Sequence, residues 1–124
     1  MAAVEIDGSQ GEGGGQVLRT SLALSLVTRT PLRLIHIRAR RSKPGLRAQH
    51  VACVQAAAEV GRAETSPVAV GTRGLTFRPT ALEPGDFSFD LGTAGSTSLV
   101  LQTVLPALLQ ARAPSRISWA KPSR

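Results

Sequence analysis

Cysteine, aromatic residues and long apolar runs are all scarce in this chain of 124 residues. A single cysteine, Cys53, excludes an internal disulfide and leaves no second thiol for a cysteine-based zinc site, so we expect it to be a buried apolar residue. No uninterrupted apolar run reaches the roughly eighteen residues that a membrane-spanning helix needs. The first residues also lack the basic and apolar segments of a secretory signal. We therefore expect a cytoplasmic protein with no membrane partner, and the sequence indicates no oligomeric state.

Acidic residues are absent between Glu12 and Glu59. This stretch holds eight basic residues: Arg19, Arg29, Arg33, Arg38, Arg40, Arg41, Lys43 and Arg47. A field of one sign attracts polyanions, and the planar guanidinium group of arginine matches phosphate oxygens. Within a net charge of +7, this distribution favours an RNA, DNA or nucleotide partner, with a solvated basic surface as the alternative.

A glycine-rich loop with one carboxylate, Glu12, lies near the start of the chain, and residues 8–15 include five glycines. Glycine lets backbone N–H groups approach a ligand closely, and the start of the following helix adds unpaired donors. The spacing excludes a Walker A loop and a dinucleotide fingerprint, because Gln16 follows Gly15. Since a carboxylate repels a bare phosphate, Glu12 predicts a bridging Mg²⁺ or Mn²⁺; an N-terminal helix charge is the alternative.

Hydrophobic periodicity predicts an α+β fold with the order β-α-β-α-β-β and a further strand. We expect strands at 4–7, 32–38, 68–70, 75–78 and 87–90, and helices at 16–28 and 46–60. His36 would then lie within a strand in a structural role. His50 would begin the second helix beside the basic loop, either as a structural residue or as a phosphate ligand. Spacing alone identifies no catalytic nucleophile.

An internal repeat becomes visible when the chain is shifted by 83 residues, so that Asp7 falls on Asp90 and Pro31 on Pro114. A second loop, Gly-Thr-Ala-Gly-Ser at 92–96, then takes the place of the first. We expect one full unit at 1–83, the truncated start of a second at 84–117 and a divergent tail at 118–124, with chance similarity as the alternative. The second unit would stop after a strand at 117–119, leaving an open sheet edge, as in the front part of a longer protein.

Three motifs occur in order: Asp-Gly-Ser-x-Gly-Glu-Gly-Gly-Gly-Gln-x-Leu-Arg at 7–19, Ile-Arg-Ala-x-Arg-x-Lys-Pro-Gly-Leu-x-x-Gln-His at 37–50, and Gly-Thr-Ala-Gly-Ser at 92–96 with Leu-Gln-Thr-Val-Leu-Pro-Ala-Leu at 101–108. Together they resemble the amino-terminal part of the RNA 3′-terminal phosphate cyclase family, over residues 4–117. The resemblance implies repeated β-α-β-α-β-β units, shared with the enolpyruvyl transferases.

The resemblance also implies an ATP-dependent reaction. A histidine becomes adenylylated, AMP moves to an RNA 3′-phosphate, and the 2′-hydroxyl then attacks that phosphate to give a 2′,3′-cyclic end. By motif position, the implied ATP-binding residues are Glu12, which also serves the metal, and Gln102. The implied RNA 3′-phosphate ligands are Arg19, Arg38, Arg41, Gln49 and His50. The adenylylated histidine lies near the family's carboxyl terminus and is unmatched here, so no catalytic residue is assigned and we expect this chain alone to be inactive.

Two departures from the family pattern stand out. Arg40 occupies a position that is usually glycine, and no Gly-Gly-Thr turn follows Pro114-Ser115-Arg116. The alternative function is a non-catalytic RNA-binding module that uses only the arginine-rich loop. An enolpyruvyl transferase is disfavoured by the basic cluster and by the Gly-Glu-Gly-Gly-Gly-Gln run.

Overall fold

The computed structural model describes residues 2–90, 94–111 and 113–120. In these ranges the elements are β1 Val4–Asp7, α1 Gly15–Thr28, β2 Leu32–Ile35, α2 Ala48–Gly61, β3 Glu64–Thr65, β4 Leu75–Arg78, β5 Asp86–Asp90, α3 Ala94–Leu109 and β6 Arg116–Ala120. They confirm the predicted α+β class. Across the described ranges, each helix is too short or too polar to cross a membrane.

The larger sheet has the strand order β1-β2-β4-β3. Strands β1 and β2 run parallel, because α1 carries the chain back between them, while β4 is antiparallel to both β2 and β3. Side chains alternate as expected for a half-buried sheet: Leu32 and Leu34 are buried on one face, while Arg33 between them is exposed. The exposed face is polar, with Arg33 lying 3.7 Å from Glu5 of β1.

The three helices pack against one another, and α1 also contacts β2 and β4, so it covers one face of the larger sheet. Leu18, Leu22 and Leu26 form the buried stripe of α1 at helical spacing. Cys53 of α2 is fully buried, as the sequence predicts. Both helices end with an arginine in the left-handed conformation, Arg29 after α1 and Arg62 after α2.

A second sheet pairs β5 with β6 in parallel, and α3 connects the two strands. The ring of Phe89 packs against that of Trp119, with centroids 5.7 Å apart. β5 and β6 confirm the strands expected at 87–90 and 117–119. β6 continues through Ala120 and so includes the first residues of the segment expected to be a tail. Gly92 and Thr93 of the predicted second loop lie outside the described residues.

The second predicted strand is three residues too long, because β2 ends at Ile35 rather than at Arg38. His36 and Arg38 have φ values of 52° and 50°, which no strand accommodates. The prediction that His36 lies within a strand is therefore wrong. The residue is exposed just beyond β2, where its Nδ1 lies 3.4 Å from Asp7 Oδ1.

The strand predicted at 68–70 is absent from the described structure. Ala69 and Thr72 instead close a turn through a backbone hydrogen bond of 3.1 Å, and Gly71 has a φ of 93°. The strand that pairs with β4 is β3, at Glu64–Thr65. The apolar spacing of 68–70 was misleading because Val70 is largely exposed.

Helix boundaries differ slightly from the prediction. α1 begins at Gly15, one residue early, and α2 begins at Ala48, two residues late. Leu46 stays outside α2 because its backbone pairs with the turn around Thr72: its N–H donates to the Thr72 carbonyl at 2.9 Å. This pairing fixes the basic segment in front of α2 and so matters for the site.

Candidate phosphate-binding site

The glycine-rich loop between β1 and α1 folds back so that Glu12 caps the helix. Gly11 and Gly13 have φ values of 63° and 69°, which glycine adopts without strain. Glu12 Oε1 accepts hydrogen bonds from the N–H groups of Gly14 at 2.7 Å and Val17 at 3.0 Å. The carboxylate therefore satisfies backbone donors that the first helical turn leaves unpaired, in the favourable field of the helix dipole.

Arg41 joins the basic segment to this loop. Its Nη2 donates to the Glu12 carbonyl at 2.7 Å and to Glu12 Oε2 at 3.1 Å. Desolvation acts to raise the pKa of Glu12, but the hydrogen bonds from Val17 and Gly14 and the charge of Arg41 outweigh it, so the pKa lies below its usual value. Glu12 is thus ionised at neutral pH and is already paired.

The basic loop, residues 38–47, is held in shape by its own backbone. Arg38 Nη1 donates to the carbonyls of Lys43 and Gly45, which closes the loop. Gly45 has a φ of 82°, and a side chain there would lie 2.5 Å from the Gly71 carbonyl oxygen. Only glycine fits at this position, so the loop is anchored against the turn around Gly71.

His50 is buried at the start of α2, with a relative exposure of 4%. Its Nδ1 accepts a hydrogen bond of 2.9 Å from the backbone N–H of Arg47. Burial, and then the positive charges of Arg38, Arg19 and Arg47, lower the pKa of His50 to about 4. The ring is therefore neutral at pH 7, and because Nδ1 accepts, its proton lies on Nε2 as a donor.

Gly15, the first residue of α1, is where Arg19 and His50 come together. A side chain on Gly15 would lie 2.7 Å from His50 Nε2 and 2.8 Å from Arg19 Nη1. Arg19 Nη2 donates to Gln16 Oε1 at 3.1 Å, whereas Arg19 Nε is buried and has no hydrogen-bond partner within the described structure. A buried donor without a partner is costly, so the pocket is suited to an acceptor.

The charges around His50 do not balance. Arg19, Arg38 and Arg47 all act on His50, and Arg41 acts on Arg38, against a single carboxylate, Glu12. With Arg41 paired to Glu12, three positive charges remain around His50. Guanidinium groups and a neutral imidazole donor together form an arrangement suited to a phosphate group.

The two glutamines of the predicted site are exposed. Gln49 is exposed in the first turn of α2. Gln102 is exposed on α3 and, with Arg19, lines a groove of about 270 Å³ between α1 and α3. Apolar groups, among them Leu24 and Pro106, line the rest of the groove. Arg19 therefore faces both the phosphate-binding cluster and the groove that contains Gln102.

Comparison with known proteins identifies the family. The family model for RNA 3′-terminal phosphate cyclase matches residues 10–120. The chain belongs to this cyclase family. Its segment is 56% identical over 115 residues to an RNA 3′-terminal phosphate cyclase of Ralstonia nicotianae, covering 93% of this chain and 33% of the relative. It is 58% identical over 105 residues to that of Caldivirga maquilingensis, covering 85% of this chain and 30% of the relative.

A third cyclase, of Koribacter versatilis, is 54% identical over 114 residues, covering 92% of this chain and 32% of the relative. The chain thus spans about a third of the length of the curated cyclases it matches. The family match includes the whole candidate site, from Glu12 to Gln102.

A metal would find few protein ligands in this cyclase segment. Among the described residues, no group of three or more histidine, cysteine or carboxylate side chains lies close enough together to hold a metal ion. Both oxygens of Glu12 already accept hydrogen bonds. Phosphate oxygens and water would therefore have to supply most ligands of a bridging Mg²⁺, an arrangement that this ion favours.

Sequence reasoning did not assign Arg47 to the site. Its charge acts on both His50 and Arg38, and its backbone N–H fixes the His50 ring. Arg47 belongs to the basic stretch without acids, but it occupies a variable position of the second motif, so the motif gave it no role. Its position relative to His50 depends on the first turn of α2 and needs the structure.

Proposed function

We propose that this chain provides the RNA-end-binding part of an ATP-dependent RNA 3′-terminal phosphate cyclase. The reaction converts an RNA 3′-phosphate into a 2′,3′-cyclic phosphodiester through enzyme-AMP and RNA-adenylate intermediates. The observation that carries the proposal is the meeting of Arg19 and His50 beside Gly15, with the charge of Arg38 acting on His50 and the buried Arg19 Nε without a protein acceptor in the described structure.

In this proposal the 3′-phosphate binds in front of α1. Arg19 and Arg38 supply charge, and His50 donates from Nε2 as a neutral group. Arg41 acts mainly by holding Glu12 and the glycine-rich loop in place, since its Nη2 is already committed to Glu12. Gln49, exposed in the same first turn as His50, adds an amide donor at the rim.

We propose that ATP binds on the other side of Arg19, along the groove that contains Gln102. This places the two substrates on either side of one guanidinium group, which suits the transfer of AMP to the RNA phosphate. Mg²⁺ or Mn²⁺ would accompany the ATP phosphates, with Glu12 as the nearest carboxylate. We expect the reaction in the cytoplasm, where ATP and RNA ends occur together.

We further propose that the 124 residues form no cyclic phosphate by themselves. Neither histidine of the chain is placed as a nucleophile toward ATP: His50 is buried with its Nδ1 engaged, and His36 pairs with Asp7. The adenylylated histidine that the family resemblance implies then lies outside this segment.

The proposal extends to the architecture. β1-α1-β2 and β5-α3-β6 each consist of two parallel strands connected by a helix. We propose that they are the equivalent parts of two repeated units. Under the shift of 83 residues, the pair Val4 with Leu32 falls on Phe87 and Ser115, whereas Phe87 pairs with Ile117, so the second unit has two more residues between its strands.

Binding of matched RNA oligonucleotides with a 3′-phosphate or a 3′-hydroxyl tests the function. We expect the chain to prefer the 3′-phosphate by ~10-fold, the effect of one or two charge-assisted hydrogen bonds. Arg19→Gln should abolish this preference and leave binding of the 3′-hydroxyl RNA nearly unchanged. Arg29→Gln, at the far end of the same helix, is the control and should keep the preference.

Equal affinity for the two RNA ends would contradict the proposal. If that binding also weakened steeply with salt, it would favour the non-catalytic RNA-binding module, because counterion release depends on phosphate contacts and not on the end group. The exposed Arg40 and Lys43 of the basic loop are the observation behind this second function.

A further inference from the structure

The arginines around the site differ in how many of their donors are already used. Arg38 Nη1 bonds to two carbonyls of its own loop, and Arg41 Nη2 bonds to Glu12. Arg19 Nη2 bonds to Gln16. Arg47, by contrast, has no side-chain hydrogen bond or ion pair with any residue the structure describes. All the donors of its planar fork are therefore available for a two-point contact with phosphate oxygens, whereas each of the other three arginines already uses one nitrogen.

Arg47 is also held in position. Its backbone N–H donates to His50 Nδ1 at 2.9 Å, and its carbonyl accepts from the N–H groups of His50 and Val51 at 3.0 Å each. The side chain is partly buried and so has a limited range of positions. The Arg47 backbone is therefore fixed at the Nδ1 side of the His50 ring. The Nε2 side of the same ring faces Gly15.

The charge of the site exceeds that of one phosphate. Four arginines, Arg19, Arg38, Arg41 and Arg47, against the carboxylate of Glu12 leave a net charge of +3, while His50 is neutral. A terminal phosphate carries about −1.5 to −2 at pH 7. The positive charge left over matches about one further phosphodiester, which carries roughly one negative charge.

We propose that Arg47 binds the phosphodiester on the 5′ side of the terminal RNA nucleotide, next to the terminal phosphate held by Arg19, Arg38 and His50. This inference rests on the proposed function and adds a specificity: the site recognises the last nucleotide by the phosphates on both its sides. A nucleotide with a 3′-phosphate but no preceding phosphodiester would be an incomplete ligand.

Four small ligands separate this inference from the proposed function: uridine, uridine 3′-monophosphate (Up), and the dinucleotides UpU and UpUp, of which the second carries the terminal phosphate. Affinities are measured by NMR titration of the 124-residue chain. The preference for UpUp over UpU tests recognition of the 3′-phosphate. The higher affinity expected for UpUp than for Up, and for UpU than for uridine, tests the contact with the preceding phosphodiester.

We expect Arg47→Gln to lower the affinity for UpUp by ~10-fold, the loss of a charge-assisted contact, and to leave the affinity for Up unchanged. The backbone bond to His50 remains in this variant, so its unfolding temperature should equal that of the wild type. Arg40→Gln, which removes the same charge from an exposed position of the same loop, is the control and should change neither affinity.

Equal weakening of Up and UpUp in Arg47→Gln would overturn the inference, because Arg47 would then act on the terminal phosphate or only through its field. No change in either affinity would overturn it as well. If UpUp binds no better than UpU, the proposed function fails, while the comparison of UpU with uridine in Arg47→Gln still decides whether Arg47 contacts the phosphodiester.

Discussion

At the scale of single residues, the site depends on groups that are held before any ligand arrives. The His50 ring is fixed in one tautomer by the Arg47 backbone, and its low pKa keeps it neutral at physiological pH. A neutral donor next to three cations does not add to their mutual repulsion. His50 can therefore contribute a hydrogen bond where a fourth charge would cost stability.

Gly15→Ala tests whether the space beside Arg19 and His50 is needed. The added methyl group would displace the ends of both side chains, so we expect binding of a 3′-phosphorylated RNA to weaken by roughly tenfold, about one charge-assisted hydrogen bond. The fold should tolerate the change, because alanine favours a helix more than glycine does. Unchanged binding would show that the phosphate does not lie there.

Fluorescence anisotropy and thermal unfolding of the same variant measure the two effects. Gly74→Ala is the matched control, since a side chain at Gly74 meets only the Leu34 carbonyl oxygen at an ordinary distance of 3.8 Å. It should leave RNA binding at the wild-type level.

Asp7 predicts an acid-dependent loss of stability. Hydrogen bonds from the Ser9 hydroxyl and backbone, with His36 nearby, lower the pKa of Asp7 from 3.8 to about 2. A carboxyl group whose pKa is lower in the folded chain stabilises it fully above pH 3.8, and that contribution is lost as the pH falls through 2. Urea unfolding between pH 5 and 2, a range set roughly by these values, should show a shallower pH dependence in Asp7→Asn.

Asp86→Asn, the same chemical change at an exposed position of β5, is the control for this series. An Asp7→Asn variant with the wild-type slope would mean that the bonds to Ser9 do not favour the ionised form in the folded chain.

The sequence indicated most of the site at this scale, and its omissions have a physical reason. Five residues of the two motifs lie near one another because both motifs follow the parallel strands β1 and β2: Glu12, Arg19, Arg38, Arg41 and His50. Their phosphate-binding role stays a prediction. The capping of α1 by Glu12 was foreseen only as the alternative to a metal. The role of Arg47 and the closeness of His50 to Gly15 depend on how α1 and α2 pack, which no local pattern specifies.

At the scale of elements, the contact between α1 and α2 depends on a glycine at the end of α2. A methyl group on Gly61 would overlap Leu26 Cδ2, and Leu26 is only 1% exposed. The two helices can approach closely here because one of them has no side chain.

Gly61→Ala should therefore destabilise the fold, because the buried Leu26 has little room to move. We expect the free energy of unfolding to fall by about 1–2 kcal/mol, after allowing for the higher helix propensity of alanine. Each kcal/mol lowers the unfolding temperature by roughly 4 °C. Differential scanning calorimetry measures it, with Gly74→Ala as the reference for a harmless glycine replacement. An unfolding temperature at or above the wild-type value would show that Leu26 of α1 can move aside without loss of stability.

The elements themselves were largely predictable, since α1, α2, β1, β4 and β5 follow clear periodicity or alternation. The errors occur where tertiary contacts decide. β2 stops early because His36 and Arg38 have positive φ values, which end the strand. Between them, the Ile37 N–H donates to the carbonyl of Arg73. The residues expected as a strand at 68–70 lead into a turn instead, because the next residues bond to the Leu46 backbone. The Leu46 N–H donates to the Thr72 carbonyl, and the Leu46 carbonyl accepts from the Gly71 N–H.

At the scale of the whole molecule, the chain spans about a third of the length of its curated relatives. We expect no covalent label after incubation with α-labelled ATP and Mg²⁺, because we propose that neither histidine of this segment is the nucleophile. The measurement is radioactivity retained by the protein after denaturing electrophoresis. A retained label that disappears in His36→Ala or His50→Ala would contradict this expectation.

The Glu12 cap has a consequence for how substrate is received. The carboxylate already accepts from two N–H groups at the start of α1, so it fixes the glycine-rich loop to that helix end before any ligand binds. Arg41 ties the same carboxylate to the basic loop, so the two loops that border the pocket are already joined to each other. An arriving RNA end enters a cleft whose walls are set in advance, and little ordering entropy is lost when it binds.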